Sequence, residues 1–233
     1  MTTMSLIESD LWLILIAVIS YLLGSVPTAY FLVRGMIRKD IRLIGSRNIG
    51  AMNAYRLIKE EKSTKLGITA FLLAMVGDGG KGILVIFVAK WLSFLGYNLL
   101  LALIISSVFV IVGHNYSLFF KFKGGGRGLS SFGGVLLALN PPLLGIWLGT
   151  ILLSTFLAEY LLVGRINWGK FSKVFSVVGF QIVGRVGGIA ISLVPLYFFA
   201  PELFFPILAA TIVVLIKHIE RTRAYIKQLQ SKA

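Results

Sequence analysis

The run LWLILIAVISYLLGSVPTAYFLV at residues 11–33 decides the fold class, because it holds no charged side chain over its whole length. A helix that crosses a bilayer needs about 20 mostly apolar residues, within a range of about 17–25. Glu8 and Asp10 precede this run and Arg34 follows it, so its basic end lies on the wrong side for a secretory leader. Working outward, further apolar runs cover residues 66–89, 94–112, 129–139, 143–163, 186–200 and 203–216. They predict an all-α, polytopic integral membrane protein with about seven transmembrane helices, built as a single domain over residues 1–233. Composition agrees. Hydrophobic residues make up 57% and charged residues 14%, against about 25% charged in soluble domains. The absence of cysteine excludes thiol nucleophiles, disulfides and iron–sulfur clusters.

The formal charge of +14 invites a nucleic-acid reading, but the placement of the cations argues against one. Arg34, Arg38, Lys39, Arg42, Arg47, Arg56, Lys59, Lys62 and Lys65 lie between the first two runs. Lys121, Lys123 and Arg127 follow the third run, Arg165, Lys170 and Lys173 follow the fifth, and Lys217, Arg221, Arg223, Lys227 and Lys232 fill the tail. The alternate connectors are nearly bare, with Lys90 the exception. This alternation predicts an outside N-terminus and a cytoplasmic C-terminus. The stretch 164–184 mixes cations with Phe and Val, which fits either an interfacial amphipathic helix or a re-entrant insertion.

Three motifs concentrate chemistry on the basic side. The first connector places Arg42, Ser46, Asn48, Asn53 and Arg56 among Gly45, Gly50 and Ala51. Small residues let a backbone approach a ligand, and arginine forks suit phosphate oxygens. A plain basic loop that fixes topology or attracts anionic lipid is the simpler alternative. The second run carries Asp78 and Lys81, three apart and therefore on one helix face. Ionisable groups inside a span are costly, so the pair reads either as an anion site or as a self-neutralising packing pair. The third motif opens at Gly113-His114 and continues through Lys123, Gly124, Gly125, Gly126, Arg127 and Gly128 into an apolar run. Free amides at a helix N-terminus make a phosphate cradle, although glycines also serve tight helix packing. The two histidines, His114 and His218, both fall at borders on the basic side. Carboxylates are too few for a magnesium site, so neither a metal nor a cofactor is implied. Converging cations beside lipid suit acyl transfer from an activated acyl phosphate, whose leaving group is itself phosphate.

These motifs resemble the bacterial acyl-phosphate:glycerol-3-phosphate acyltransferase family, PlsY. The family's first-loop signature runs G-S-x-P-x-x-Y, then D-I-R-x-x-G-S-G-N-x-G-A-T-N-x-x-R. It is matched by Gly24, Ser25, Pro27 and Tyr30, then Asp40, Ile41, Arg42, Gly45, Ser46, Asn48, Gly50, Ala51, Asn53 and Arg56. Arg47 and Met52 depart from it. The family's D-x-x-K-G corresponds to Asp78, Lys81 and Gly82, its G-H to Gly113 and His114, and its F-K-G-G to Phe122, Lys123, Gly124 and Gly125. The tail histidine corresponds to His218.

The resemblance implies seven helices in the cell inner membrane with the active site on the cytoplasmic face. It implies a long-chain acyl phosphate as donor, sn-glycerol 3-phosphate as acceptor and lysophosphatidic acid as product. The enzyme that makes the acyl phosphate becomes a candidate partner. Ser46, Arg56, Arg127 and His218 are the implied catalytic residues. Arg42, Asn48, Asn53, Asp78, Lys81, His114, Lys123, the glycines 124–126, Gly128 and Arg221 are the implied substrate and phosphate contacts. Two further positions differ from the family pattern. The Gly-Gly-Lys-Gly lysine is replaced by Arg127 or supplied by Lys123, and the tail asparagine is Arg221. A transporter of phosphorylated metabolites and a non-catalytic lipid-binding relative are the two rival readings.

Overall fold

The structure, a computed structural model, describes residues 6–163, 177 and 181–230. The opening apolar run forms two helices, α1 (Leu6–Ser25) and α2 (Thr28–Ile37). Pro27 has no N–H and a fixed φ, so the first helix cannot continue through it. After the first connector come α3 (Ala51–Glu61), α4 (Thr64–Trp91) and α5 (Leu99–Asn115). Then follow α6 (Leu129–Leu139), α7 (Pro141–Val163), α8 (Ile182–Ile191), α9 (Leu193–Phe199) and α10 (Phe204–Gln230). Most of the stretch 164–184, read from sequence as interfacial or re-entrant, lies outside the described residues.

Helix α3 occupies part of what the sequence reading treated as a connector. Its buried positions Ala51, Ala54, Leu57 and Ile58 recur at helical spacing. They pack with Ala29 and Val33 of α2 and Ala70 and Ala74 of α4 into a small apolar cluster at the base of the molecule.

Among the described residues, six segments are long and apolar enough to cross a membrane: Asp10–Ile37, Thr64–Leu95, Leu99–Phe120, Pro141–Leu162, Ile182–Phe199 and Pro201–Ile219. The seventh expected span, at 129–139, is the 11-residue helix α6. At 1.5 Å per residue it covers roughly half of the ~30 Å hydrocarbon thickness. Helix α6 lies parallel to the C-terminal half of α4, and Lys90 Nζ donates to the Ala138 and Leu139 carbonyls at 2.7 and 3.3 Å. The ammonium thus satisfies carbonyls left open at the α6 C-terminus, where the helix dipole favours a cation.

Glycine makes the α4–α6 contact possible. A Cβ on Gly134 would stand 1.9 Å from the Gly79 carbonyl oxygen, and one on Gly82 would stand 2.1 Å from that of Ser131. Backbone meets backbone here, as small residues permit between membrane helices. The outer face of the bundle is apolar: Val76, Leu153 and Phe198 are 72%, 71% and 78% exposed. In water such a surface would be costly, whereas in lipid it needs no cover. The chain is membrane-embedded.

Candidate active site

A cavity of about 640 Å³ opens among α3, α4, α6, α7, α8 and α10. That is within the range of about 300–1,000 Å³ usual for small-molecule sites. Its lining divides by chemistry. One part carries Arg56, Arg127, Arg185, Arg221, His114 and His218. The other is an apolar groove walled by Phe71 and Met75 of α4 and by Leu144, Trp147, Leu148 and Ile151 of α7. Asp78 is the sole carboxylate on the wall among the described residues.

The first connector supplies Ser46 and Asn48 to the cavity and Asn53 behind them. Asn53 is 1% exposed, and its polar atoms are committed to backbone. Its Oδ1 accepts from the Ser46 N–H at 3.1 Å, and its Nδ2 donates to the Asn48 and Ile44 carbonyls at 3.1 and 3.4 Å. Asn53 therefore shapes the loop that presents Ser46, rather than offering a free group to substrate. Asn53→Ala orphans these buried groups. The expected cost is about 1–3 kcal/mol in stability, read as a lower melting temperature in detergent, with reduced turnover.

Arg42, expected to touch substrate, is turned elsewhere. Its guanidinium pairs with Asp40, with Nη2 to Oδ2 at 2.6 Å, and lies 4.8 Å from the Phe120 ring centroid. The Arg42 hydrogen bonds hold the Asp40 carboxyl below its ordinary range. The pair ties the first connector to the segment after α5, and Arg42 does not line the cavity.

Lys81 is likewise spent on structure. Its Nζ meets Asp78 Oδ1 at 2.5 Å and also donates to the Val26 carbonyl. That carbonyl lies just before Pro27, where the helix ladder stops. These contacts are those of the packing alternative for the Asp78–Lys81 pair. Asp78 keeps an edge on the cavity, with His114 Nδ1 at 3.8 Å from its Oδ1.

The glycine-rich connector also differs from expectation. The Gly126 N–H donates to the His114 carbonyl at 2.9 Å, and the Gly124 carbonyl accepts from the Ser117 N–H at 3.0 Å. A Cβ on Gly125 would stand 2.3 Å from the His114 carbonyl oxygen, and one on Gly126 would stand 1.9 Å from His114 Nε2. These glycines pack the connector onto the end of α5 and do not line the large cavity, and exposed Lys123 stands outside it too. The open helix amides lie further on. Gly128 caps α6, and the first-turn residues Leu129 and Ser130 line the cavity. The first-turn amides of a helix have no partner within it, and its dipole favours an anion there.

Arg127 precedes this turn. Burial first, then Arg221, Arg185 and Arg56, lower its guanidinium to about 9. Burial and Arg56 push Arg221 down as well, and burial pushes Arg56 down. The four arginines thus repel one another in a poorly hydrated pocket, a field that a multiply charged anion relieves. His218 is fully buried, its Nδ1 lies 2.8 Å from the Val214 carbonyl, and its Nε2 has no partner. A carbonyl only accepts, so the proton is assigned to Nδ1 and Nε2 is left as a buried acceptor without a partner, on a residue that lines the cavity.

The sequence reading missed Arg185, which sits inside the apolar segment Ile182–Phe199 and in no motif. Its signal was the cost of placing a guanidinium within a span. Among the described residues, no group of three or more His, Cys, Asp or Glu side chains stands ready for a metal.

Comparison with known proteins finds similar chains. The family described as glycerol-3-phosphate acyltransferase matches residues 14–228. The glycerol-3-phosphate acyltransferase of Syntrophomonas wolfei is 38% identical over 151 residues, 64% of this chain and 70% of that protein. The enzyme of the same name from Clostridioides difficile is 30% identical over 166 residues, 71% of this chain and 77% of that protein. The crystal structure of PlsY, an integral membrane glycerol 3-phosphate acyltransferase, in its glycerol 3-phosphate form superposes with a TM-score of 0.63. It is 19% identical and the match covers 94% of each chain. The lysophosphatidic acid form gives 0.62, covering 94% of this chain and 93% of that one.

Proposed function

The chain belongs to the glycerol-3-phosphate acyltransferase family, and on that premise we propose that it transfers an acyl group from acyl phosphate to sn-glycerol 3-phosphate. The observation that carries the reading is the divided cavity: four arginines and the α6 N-terminus at one part, an apolar groove at the other. An acyl phosphate has that same division. Its chain suits the groove between α4 and α7, and its phosphate suits Arg127 and the first turn of α6. Arg56, Ser46 and Asn48, on the same wall, suit the phosphate and hydroxyls of the acceptor.

In the reaction, the acceptor's hydroxyl oxygen attacks the acyl carbonyl carbon. The bond from that carbon to the bridging oxygen breaks, and phosphate departs with the electron pair. Guanidinium groups fixed in advance stabilise the charge gathering on that phosphate without reorganising. The hydroxyl proton passes to the departing phosphate, and His218 would hydrogen-bond a phosphate rather than act as base. The cavity would open to the cytoplasm at the inner membrane, a side supported by the clustering of basic connectors.

The test uses purified protein in lipid with palmitoyl phosphate and labelled glycerol 3-phosphate, following inorganic phosphate and lysophosphatidic acid together. Equal appearance of both is expected. Phosphate without lipid product would remove glycerol 3-phosphate as acceptor, and neither product from folded protein would overturn the reading.

A further inference from the structure

We propose that Arg185 is a phosphate-binding residue of this cavity, acting with Arg127 and Arg221 on a substrate phosphate. The inference deepens the acyltransferase reading and rests on it for the identity of the substrates.

Three observations carry it. First, Arg185 lines the same cavity as Arg127, Arg221 and Arg56 and comes from a separate helix, α8. Second, α8 is pressed onto α7 by glycines one turn apart. A Cβ on Gly184 would stand 2.6 Å from the Ser154 carbonyl oxygen, and one on Gly188 would stand 2.8 Å from the Ile151 Cα. Ile151 itself walls the apolar groove. The Arg185 Cα is therefore fixed, with no slack, where the groove meets the cationic part. Third, His218 of α10 is among the residues lining the same cavity, so guanidiniums from separate elements share one wall with a polar ring. Several guanidiniums on one wall point to a ligand that carries anionic oxygens.

Charge supports the same assignment. Donor and acceptor each bring a phosphate, and both must be present for direct transfer. Each phosphate carries up to about two charges near neutral pH. Four guanidiniums on the wall match two such groups held together. An arginine fork also fixes orientation, which a lysine point charge does not.

The experiment compares wild type, Arg185→Met, Arg185→Gln and Arg185→Lys in lipid nanodiscs. One arm measures KM for palmitoyl phosphate at saturating glycerol 3-phosphate, and another measures KM for glycerol 3-phosphate at saturating donor. A third arm measures inorganic phosphate binding by calorimetry, without turnover. In Arg185→Met and Arg185→Gln one of the two KM values is expected to rise about tenfold or more, and phosphate binding to weaken to match. Arg185→Lys is expected to recover part of both. The KM that moves says which substrate's phosphate Arg185 holds. Unchanged KM values with unchanged phosphate binding would overturn the proposal. So would a fall in kcat that tracks melting temperature while both KM values stand. Phosphate binding that depends on Arg185 in a wild type that turns over neither substrate would uphold the site and remove the acyltransferase reading instead.

Discussion

Arg127→Ala is expected to lower kcat/KM for acyl transfer by about 10²–10³, the effect typical of removing one preorganised donor to developing negative charge. Arg127 stands at the entry to α6, beside the open first-turn amides, with Arg56, Arg185 and Arg221 close enough to repel it. On the proposed reaction, its position is where charge gathers as phosphate leaves. Alanine removes both the fork and the charge, and leaves the helix dipole to act alone. Arg127→Lys keeps the charge and loses the fork, so it should fall between the two. Initial rates of phosphate release, paired with melting temperatures, check this. If Arg127→Ala is as active as wild type and as stable, the leaving phosphate is not held there.

Much of the fold is legible in the sequence because lipid imposes a simple rule. Every backbone group in the hydrocarbon must be paired within its own helix, so long apolar runs are helices. The runs at 66–89 and 143–163 accordingly became α4 and α7 with only small shifts at their ends. The run at 11–33 became two helices because Pro27 stops the first of them, and the apolar pattern runs through that break without marking it. Helix α3 was passed over because charged residues mask its apolar spacing.

The site was legible as chemistry but not as allocation. Sequence identifies cations, glycines and amides that suit phosphate. It does not say which of them the fold uses for itself. Lys81 serves a carbonyl beside Pro27, Arg42 closes on Asp40, and Gly126 closes on His114. Each partner lies elsewhere in the turn or the fold, so motif spacing gives no warning. Arg185 shows the reverse case. It belongs to no motif, yet the seating of α8 on α7 delivers it to the cavity. The rule that an arginine inside an apolar helix needs a reason would have singled it out.

Gly134→Val is expected to abolish the folded, detergent-stable protein, whereas Gly149→Val is not. The two glycines differ in what a side chain would meet. At Gly134 a Cβ would stand 1.9 Å from the Gly79 carbonyl oxygen and 3.0 Å from the Gly79 Cα, whereas at Gly149 nothing lies within 4 Å. Overpacking a core commonly costs about 1–3 kcal/mol when side chains can shift. Here the obstructing atoms are helix backbone, so α4 and α6 must separate along their length. Separation would also pull Lys90 from the α6 carbonyls it satisfies at 2.7 and 3.3 Å. Those carbonyls have no water to turn to inside a bilayer. The first turn of α6 would move with the helix, so any residual folded protein should lose phosphate binding before it loses its helix content. Size-exclusion profiles in detergent, circular dichroism and inorganic phosphate calorimetry separate these outcomes. A Gly134→Val protein with wild-type melting temperature and phosphate affinity would show that α6 is not held against α4 by this contact, and the position of the cradle would have to be redrawn.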